Sequence, residues 1–518
     1  MNGLTQGPSE ICQIQLLPQG TSLSVSRGAA LQDLLFAHGV EFPCGGRGRC
    51  KGCRVKVIGG DLPITEEDRQ KLVDPELAEG WRLACRARVP GDLKLELAQW
   101  EETILSDDSV FQFSPKEGLG IAIDLGTTTI VAQLLDLLTG RVLGVRTALN
   151  SQAKHGADIM SRIEFATTSQ ALPTLHQLTH EQIGNLIDEL LAESRRSEQT
   201  DAGVPGELKS IVLVGNTVMH HLFCGIDLEP LSHYPFEPVR PGLQIFSAST
   251  LGWSSAGEAQ VRFLPCLGGF VGSDILAGLL ACQIHKSDSL TALIDLGTNG
   301  EIVLGNRHRM LCISTAAGPA FEGARISMGM RAASGAISEV HVEAGQFQCH
   351  VLGKVPPRGI CGSGLVDAVA AALDLGLLKS SGRLVQGDSL SLSPPVSLNQ
   401  WDIRELQLAK GAIAAGVEIL LNKWGEDKGA LKQVYLAGAF GNYINYASAR
   451  RIGLLDFAPQ MVKPAGNTAL LGAKMALFEL EEHGGAYPEV LAKTQHVSLK
   501  EDPLFQDAFM DHMSFPEK

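Results

Sequence analysis

The chain has 518 residues and carries 43 Lys and Arg against 57 Asp and Glu, a net charge of −14. That length exceeds one ordinary core and predicts roughly two to four domains, and the 44 % apolar content suits well-packed ones. The acidic balance argues against wrapping nucleic acid, which wants a basic face. No run approaches the roughly 18–20 unbroken apolar residues of a membrane span. The start, MNGLTQGPSEICQ, has neither the basic residues nor the apolar stretch of a secretory signal. The expectation is a cytoplasmic protein with no membrane or nucleic-acid partner. Of 11 cysteines, seven are scattered singly (Cys12, Cys224, Cys266, Cys282, Cys312, Cys349 and Cys361) and read as small buried hydrophobes rather than a disulfide framework.

Residues 1–98 read as a first, small domain of α+β type. Apolar alternation predicts strands over Ile11–Leu17, Val55–Ile58 and Leu93–Leu97, with a short amphipathic helix over Ala30–Ala37. Four cysteines stand apart from the rest: Cys44, Cys50 and Cys53 in FPCGGRGRCKGCRV, and Cys85 in WRLACRARV, a C-x5-C-x2-C-x31-C spacing. An iron–sulfur cluster needs thiolates from a wrapping loop and one from a distant strand. Gly45, Gly46, Gly48 and Gly52 let that loop approach the cluster closely, and Arg47, Arg49 and Lys51 set positive charge beside an anion. Zinc is the competing ligand, but it favours two C-x2-C knuckles and the chain has one. The segment resembles [2Fe–2S] ferredoxins, and its x5 spacing resembles the adrenodoxin-type variant.

Residues 99–118 are polar with scattered aromatics and read as a linker. From Leu119 onward, strands alternate with turns and helices, which predicts an α/β architecture. GLGIAIDLGTTTIVAQ reads as two strands joined by a Gly/Thr turn, and TALIDLGTNGEIVLGN repeats the pattern about 170 residues later. LKSIVLVGNTVMHHLF and LKQVYLAGAFGNYIN each run from a buried strand into a turn or helix. Helices are expected around Ile183–Ser194, Gly272–Gln283, Gly364–Leu375 and Leu406–Leu421. Residues 376–402 read as a surface excursion rich in Ser, Gly and Pro. The duplicated element predicts two lobes, over residues 119–265 and 266–485, with residues 486–518 as a short helix and tail.

One Asp-x-Gly-Thr turn is a weak signal; Asp124–Thr129 and Asp295–Gly300 at equivalent points of two halves are a strong one. Gly/Thr turns offer N–H and hydroxyl groups to phosphate oxygens, and a leading Asp suits a hydrated Mg²⁺. The chain here resembles the superfamily of acetate and sugar kinases, heat-shock chaperones and actin, whose five motifs all have counterparts in order. These are the two phosphate loops, connecting helices at Gly272–Leu280 and Gly466–Leu477, and an adenosine motif at Leu436–Asn442. The resemblance implies a two-lobed, ribonuclease H-like ATPase with the nucleotide between its lobes. It assigns Gly126, Thr127, Thr128, Gly297, Thr298 and Asn299 to phosphates, and Gly438, Gly441 and Asn442 to adenosine. Asp124 and Asp295 would organise Mg²⁺ and the attacking water. Glu322 is either an acid–base residue or a helix cap or ribose contact. Gly318, in AGPAFEG, and Gly362 and Ser363, in GICGSG, fit the same cleft, the latter at a helix start suited to anions. His155, His220 and His221 are tempting as metal ligands, but single histidines near glycine turns are more often structural.

A [2Fe–2S] domain joined to such an ATPase resembles the reductive activators of corrinoid proteins. Supporting stretches are Asn150–Gln152, Gly156–Ile163, Leu213–His220 and Ala316–Gly323. The resemblance implies an enzyme, an ATP-hydrolysing electron-transfer activator that returns Co(II) to Co(I) for anaerobic methyl transfer. Its cofactors would be a [2Fe–2S] cluster, ATP and Mg²⁺. Its partners would be a corrinoid-binding protein and an upstream electron donor, with a homodimer as one arrangement open to it. Some relatives carry an extra domain between ferredoxin and ATPase, where this chain has about 20 residues. Competing readings are an activator of a dehydratase-type metalloenzyme and a redox-regulated small-molecule kinase.

Overall fold

The computed structural model describes residues 10–17, 20–36, 38, 40, 53–72, 74–97, 111–156, 158–168, 171–198, 206–297, 299–323, 325–479 and 486–517. Its first unit is a five-stranded sheet in the order Thr21–Ser26, Ile11–Leu17, Leu93–Leu97, Arg54–Gly59, Trp81–Leu83. Period-2 alternation decides the inner face: Ile14, Leu16, Leu93, Leu95 and Leu97 are buried, and the helix Leu31–Phe36 packs Leu31 and Leu35 against them. A capping box starts the helix Glu66–Lys71. The Thr65 hydroxyl accepts from Asp68 N at 3.1 Å, and Asp68 Oδ2 accepts from Thr65 N at 2.7 Å. The other oxygen of this fully buried Asp68 accepts from Leu83 N at 2.7 Å, which ties the helix to the strand that leads into Cys85.

The rest is built on two six-stranded sheets of matching plan. In the first, the hairpin strands Leu119–Leu125, Thr129–Asp136 and Val142–Leu149 run antiparallel. Leu208–Val214 joins Leu119–Leu125 in parallel. In the second, Thr291–Leu296, Gly300–Gly305 and Met310–Thr315 form the antiparallel set, and Gln433–Ala437 joins Thr291–Leu296 in parallel. The central strands are covered on both faces, so they read as continuous apolar runs instead of alternating ones. The two Asp-led turns therefore sit at equivalent corners of two related sheets.

Between the sheets lie two helices, Ser273–Ala281 and Thr468–Glu479, whose apolar side chains form one core with residues of both lobes, among them Ala122, Val214, Leu293 and Val303. They approach closely because glycines face the contact. A Cβ on Gly472 would lie 2.2 Å from the Ala277 carbonyl oxygen. Part of the linker is folded onto this assembly: Phe113 packs 4.4 Å, ring to ring, from Phe478, and Phe111 packs 5.5 Å from it.

The expected helices are present, most of them longer than the periodicity alone delimits: Leu172–Glu198, Gly362–Asp374 and Gln400–Trp424. The excursion at 376–402 carries a hairpin, Ser389–Ser393 with Val396–Asn399, and its end already belongs to the long helix. The C-terminal residues are not a loose extension. Thr494–His496 adds a parallel edge strand to the second sheet, and Phe505–Asp511 packs on Gln400–Trp424. Lys410 Nζ donates to Ser514 O at 2.6 Å, and Gln407 Nε2 to Met513 O at 2.8 Å, which fixes Phe515 in the core.

Candidate functional site

A cavity of about 390 Å³ opens between the lobes. From the first lobe its wall takes Asp124, Gly126, Thr127, Thr128 and Asn216; from the second, Asp295, Gly297, Asn299 and Glu301. Asp274, Phe321, Glu322, Gly362, Ser363, Gly438, Phe440, Tyr443 and Asn467 complete it. The two Asp-led loops thus face one space. Gly318 and Gly441 lie outside this wall, Gly441 packing on Leu436. Thr298 and the side chain of Asn442 lie outside the described residues.

The first loop is braced from behind. Asn150 Nδ2 donates to Gly126 O at 2.9 Å, and Asn150 N donates to Thr128 O at 2.8 Å. The fully buried Arg162 donates to Thr127 O, to Gly156 O at 2.9 Å and to Gln152 Oε1 at 3.1 Å. Burial pulls its guanidinium down to about 9, so the hydrogen bonds to backbone and amide oxygens are what make the placement tolerable. Asn216 caps the helix Thr217–Cys224 and donates to Thr127 Oγ1 at 2.9 Å. Asn150, Gln152, Gly156 and Arg162, from two stretches singled out as sequence, form the scaffold of the first Asp-led loop.

Four carboxylates converge in the cavity. Burial raises Asp124 to about 6, with a hydrogen bond from Asn467 opposing the rise. Burial and then the charge of Asp124 raise Asp295 to about 7. Asp274, in the first turn of the helix Ser273–Ala281, rises to about 8 through burial and then Asp295. Burial, followed by Asp274 and Asp295, carries Glu301 well above the usual range, while Ser314 Oγ donates to it at 3.2 Å. Like charges in a dry site hold protons until a cation replaces them. Among the described residues no three His, Cys, Asp or Glu side chains are close enough together to ligate one ion directly, so this anionic wall fits a magnesium ion that keeps most of its water and meets the carboxylates largely through it.

Sequence reasoning named Asp124 and Asp295 but not Asp274, Glu301 or Asn467. Asn467 caps the helix Thr468–Glu479, accepting from Leu470 N at 2.9 Å, and donates from Nδ2 to Asp124 Oδ2 at 2.9 Å, so it bridges the lobes. The available signals were an Asp in the first turn of a connecting helix, a lone Glu in a fully buried strand, and an Asn ahead of an apolar helix.

At the far end of the cavity Phe440 and Phe321 stack at 4.6 Å, beside Tyr443. Gly438 adopts φ +80, and a Cβ there would fall 2.6 Å from Asp295 Oδ1, so only glycine lets the adenosine motif close on the second phosphate loop. The helix Gly362–Asp374 starts at the wall with no side-chain cap, leaving its first N–H groups available to an anion.

In the first unit, Cys53 and Cys85 are 1 % and 8 % exposed. Strand pairing brings them together: Arg54 opposes Leu83, and Ala84 N donates to Cys53 O at 3.1 Å. Cys44 and Cys50 lie outside the described residues. His220 and His221 are buried, with Nδ1 atoms 3.3 Å apart, and are bonded to Gly242 O and Thr217 O. His155 stacks on Phe165 at 4.4 Å. Each of these histidines is accounted for by packing and by these hydrogen bonds. Among the described residues no helix is long and apolar enough to cross a membrane.

A ferredoxin-type unit and a two-lobed, actin-like nucleotide cleft in one chain define an ATPase coupled to an iron–sulfur centre. Three family matches tile the sequence: a 2Fe-2S iron-sulfur cluster binding domain over residues 14–90, the RACo middle region over 119–287, and the C-terminal domain of RACo, the ASKHA domain, over 289–518. The chain is 34 % identical over 447 residues to the corrinoid activation enzyme RamQ of Eubacterium limosum, covering 80 % of this chain and 74 % of that one. It is 28 % identical over 391 residues to the [Co(II) methylated amine-specific corrinoid protein] reductase of Methanosarcina barkeri, covering 70 % of each. A solved reductive activator for corrinoid, iron–sulfur protein superposes with a TM-score of 0.67 at 27 % identity over 98 % of both chains. The chain therefore belongs to the RACo-type family of reductive activators of corrinoid proteins. Its cofactors are a [2Fe–2S] cluster and ATP with magnesium.

Proposed function

We propose that this chain reduces a corrinoid protein of a methyl-transfer system. One electron passes to inactive Co(II) and yields the nucleophilic Co(I), and an upstream low-potential donor restores the chain. The observation that carries this reading is the co-occurrence in one chain of a cysteine pair seated in a ferredoxin core with a cleft walled by two Asp-led phosphate loops. When bound, the [2Fe–2S] cluster supplies one electron at a potential near −400 mV if it behaves as plant-type ferredoxins do. Delivery to Co(II) at a lower potential is uphill, so nucleotide must favour one state of the complex over another.

Within the chain, Cys44, Cys50, Cys53 and Cys85 hold the cluster. Thr127 and Thr128 and the open amides at Gly362 and Ser363 hold phosphates. Asp124, Asp274 and Asp295 supply oxygens for magnesium, and Asp295 orients the attacking water. Phe440 and Tyr443 flank the base, with Gly438 as the tight turn beside it. Glu322 stands at the wall, where it reaches ribose or a proton in transit.

The test is the visible spectrum of a Co(II) corrinoid protein mixed anaerobically with the reduced chain and MgATP. Co(I) bands that need both ATP and an intact cluster, and vanish in Cys50→Ser, support the reading. ATP hydrolysis with an intact cluster spectrum and no Co(I) moves the electron acceptor elsewhere.

A further inference from the structure

The ferredoxin unit touches the ATPase on both lobes, and the two contacts are unlike. On the first lobe the contact is largely apolar. Leu149 is buried in the ferredoxin core with Ala153 packed beside it, and Lys154 Nζ lies 5.3 Å over the Phe36 ring and 3.6 Å from Asp33. Asp33 and Phe36 belong to the helix Leu31–Phe36, which leads toward Cys44 eight residues on. On the second lobe a guanidinium makes contact. Arg358 pairs with Glu96 through Nη2 and donates to Leu97 O at 3.4 Å through Nη1, at the end of the last ferredoxin strand.

Each contact is continuous with the wall of the nucleotide cavity. Lys154 ends the short helix Ser151–Lys154, which is capped by the same Asn150 that holds the carbonyls of Gly126 and Thr128. Arg358 directly precedes Gly359 and Ile360. Ile360 exchanges hydrogen bonds with Met328 and Met330, and Met330, Gly362 and Ser363 line the cavity. A change of angle between the lobes must therefore pull the two contacts apart from each other. The apolar seat resists, because separating it exposes Leu149 and Phe36 to water. The Arg358–Glu96 pair is part-buried on both sides, and rehydration of both charges offsets much of what its opening loses.

We propose that Arg358 is a nucleotide-controlled latch. With the cleft empty it pins the ferredoxin unit across both lobes. When the lobes close on MgATP the unit stays on its first-lobe seat and the Arg358–Glu96 contact opens. The end of that central strand, the Glu96 carboxylate and the Leu97 carbonyl, becomes available to the protein that receives the electron. Arg358 is a positioning residue in this scheme. The inference rests on the ATP-driven electron-transfer reading, since it gives nucleotide a mechanical route to the cluster domain.

The test uses zero-length carbodiimide coupling in the full chain carrying its cluster. In Arg358→Lys the charge is kept and the introduced amine can be joined to Glu96, while the native Lys154–Asp33 pair serves as an internal reference. A non-hydrolysable MgATP analogue is expected to lower the 358–96 cross-link by about fivefold, a shift of about 1 kcal/mol in the contact, and to leave the 154–33 cross-link unchanged. Adding Glu96→Gln abolishes the first product alone. ATP hydrolysis by Arg358→Ala, without partner, stays within about twofold of the unmodified chain. The latch is overturned if both cross-links ignore nucleotide, if both fall together, or if the 358–96 product never forms. No corrinoid protein is present in this measurement. A failed Co(II) reduction therefore leaves the latch standing, and a failed latch leaves the corrinoid reading standing.

Discussion

If the proposed magnesium site is these cleft carboxylates, the cation competes with their protons, and nucleotide binding releases protons. Asp124, Asp295 and Asp274 sit near 6, 7 and 8 in the nucleotide-free chain. At pH 6, ionising a group that titrates near 8 costs about 2.7 kcal/mol, one near 7 about 1.4 kcal/mol, and one near 6 a factor of about two. If the cation needs all three ionised, affinity for the Mg–nucleotide complex is weaker at pH 6 than at pH 9 by at most about three orders of magnitude. Because the sites repel one another, the loss is spread over broad steps rather than three sharp ones. The sign for folding is the reverse. These acids are raised above the unfolded value of 3.8, so the empty chain has their stability in full below about pH 4 and loses it as pH rises through about 6 to 8. Titration calorimetry of Mg–ATP analogue binding at pH 6.5, in two buffers of different ionisation heat, counts the protons. The expectation is more than one proton released per nucleotide, fewer in Asp274→Asn, and an affinity that climbs toward pH 8. No proton release together with a flat affinity from pH 6 to 8 would refute the carboxylate cluster as the cation site.

Three further outcomes follow from single contacts. Asn467→Ala removes the hydrogen bond across the lobes to Asp124; a bond to a charged group is worth about 1.5–3 kcal/mol, so nucleotide affinity falls roughly ten- to a hundredfold by calorimetry while the cluster spectrum is unchanged. Cys53→Ser, at a 1 % exposed position, abolishes bound iron and the visible [2Fe–2S] bands but retains partner-free ATP hydrolysis, and loss of hydrolysis in a folded variant would contradict the division of labour. Gly472→Ala places a Cβ 2.2 Å from the Ala277 carbonyl and forces the connecting helices apart; overpacking costs about 1–3 kcal/mol, visible as a lower thermal midpoint of the ATPase lobes.

What was legible beforehand was what short-range chemistry dictates. The glycine-rich cysteine loop, the two Asp-Leu-Gly-Thr turns and the apolar strands ahead of them announce themselves because backbone approach and strand burial act over a few residues. Arg162 was visible only as part of a resembling stretch, since nothing local says that its guanidinium ends on Thr127 O. Asp274 and Glu301 were hidden for a different reason. An acid in the first turn of a helix has an ordinary explanation in the helix dipole, and its proximity to Asp295 exists only after both lobes have folded. The segment after residue 486 looked like an extension because its elements are short. It is ordered by Gln407 and Lys410, which reach across about 100 residues of sequence to the backbone of Met513 and Ser514.

The distribution of those acids over the fold suggests why an electron-transfer protein uses this ATPase. Asp124 belongs to the first lobe, Asp295 and Glu301 to the second, and Asp274 to the helix between them. Asp124 raises the proton affinity of Asp295 and Asp274 across the cleft, so ionised carboxylates on opposite lobes resist closure by mutual repulsion. Charge compensation by a divalent cation turns that repulsion into attraction toward a shared centre, and the favoured interlobe angle then depends on occupancy. Asn150 and the strand before Gly362 carry that angle from the cavity wall to the two seats of the ferredoxin unit. Nucleotide can thus act on the cluster domain without touching it, because the elements that hold phosphate also hold that domain in place.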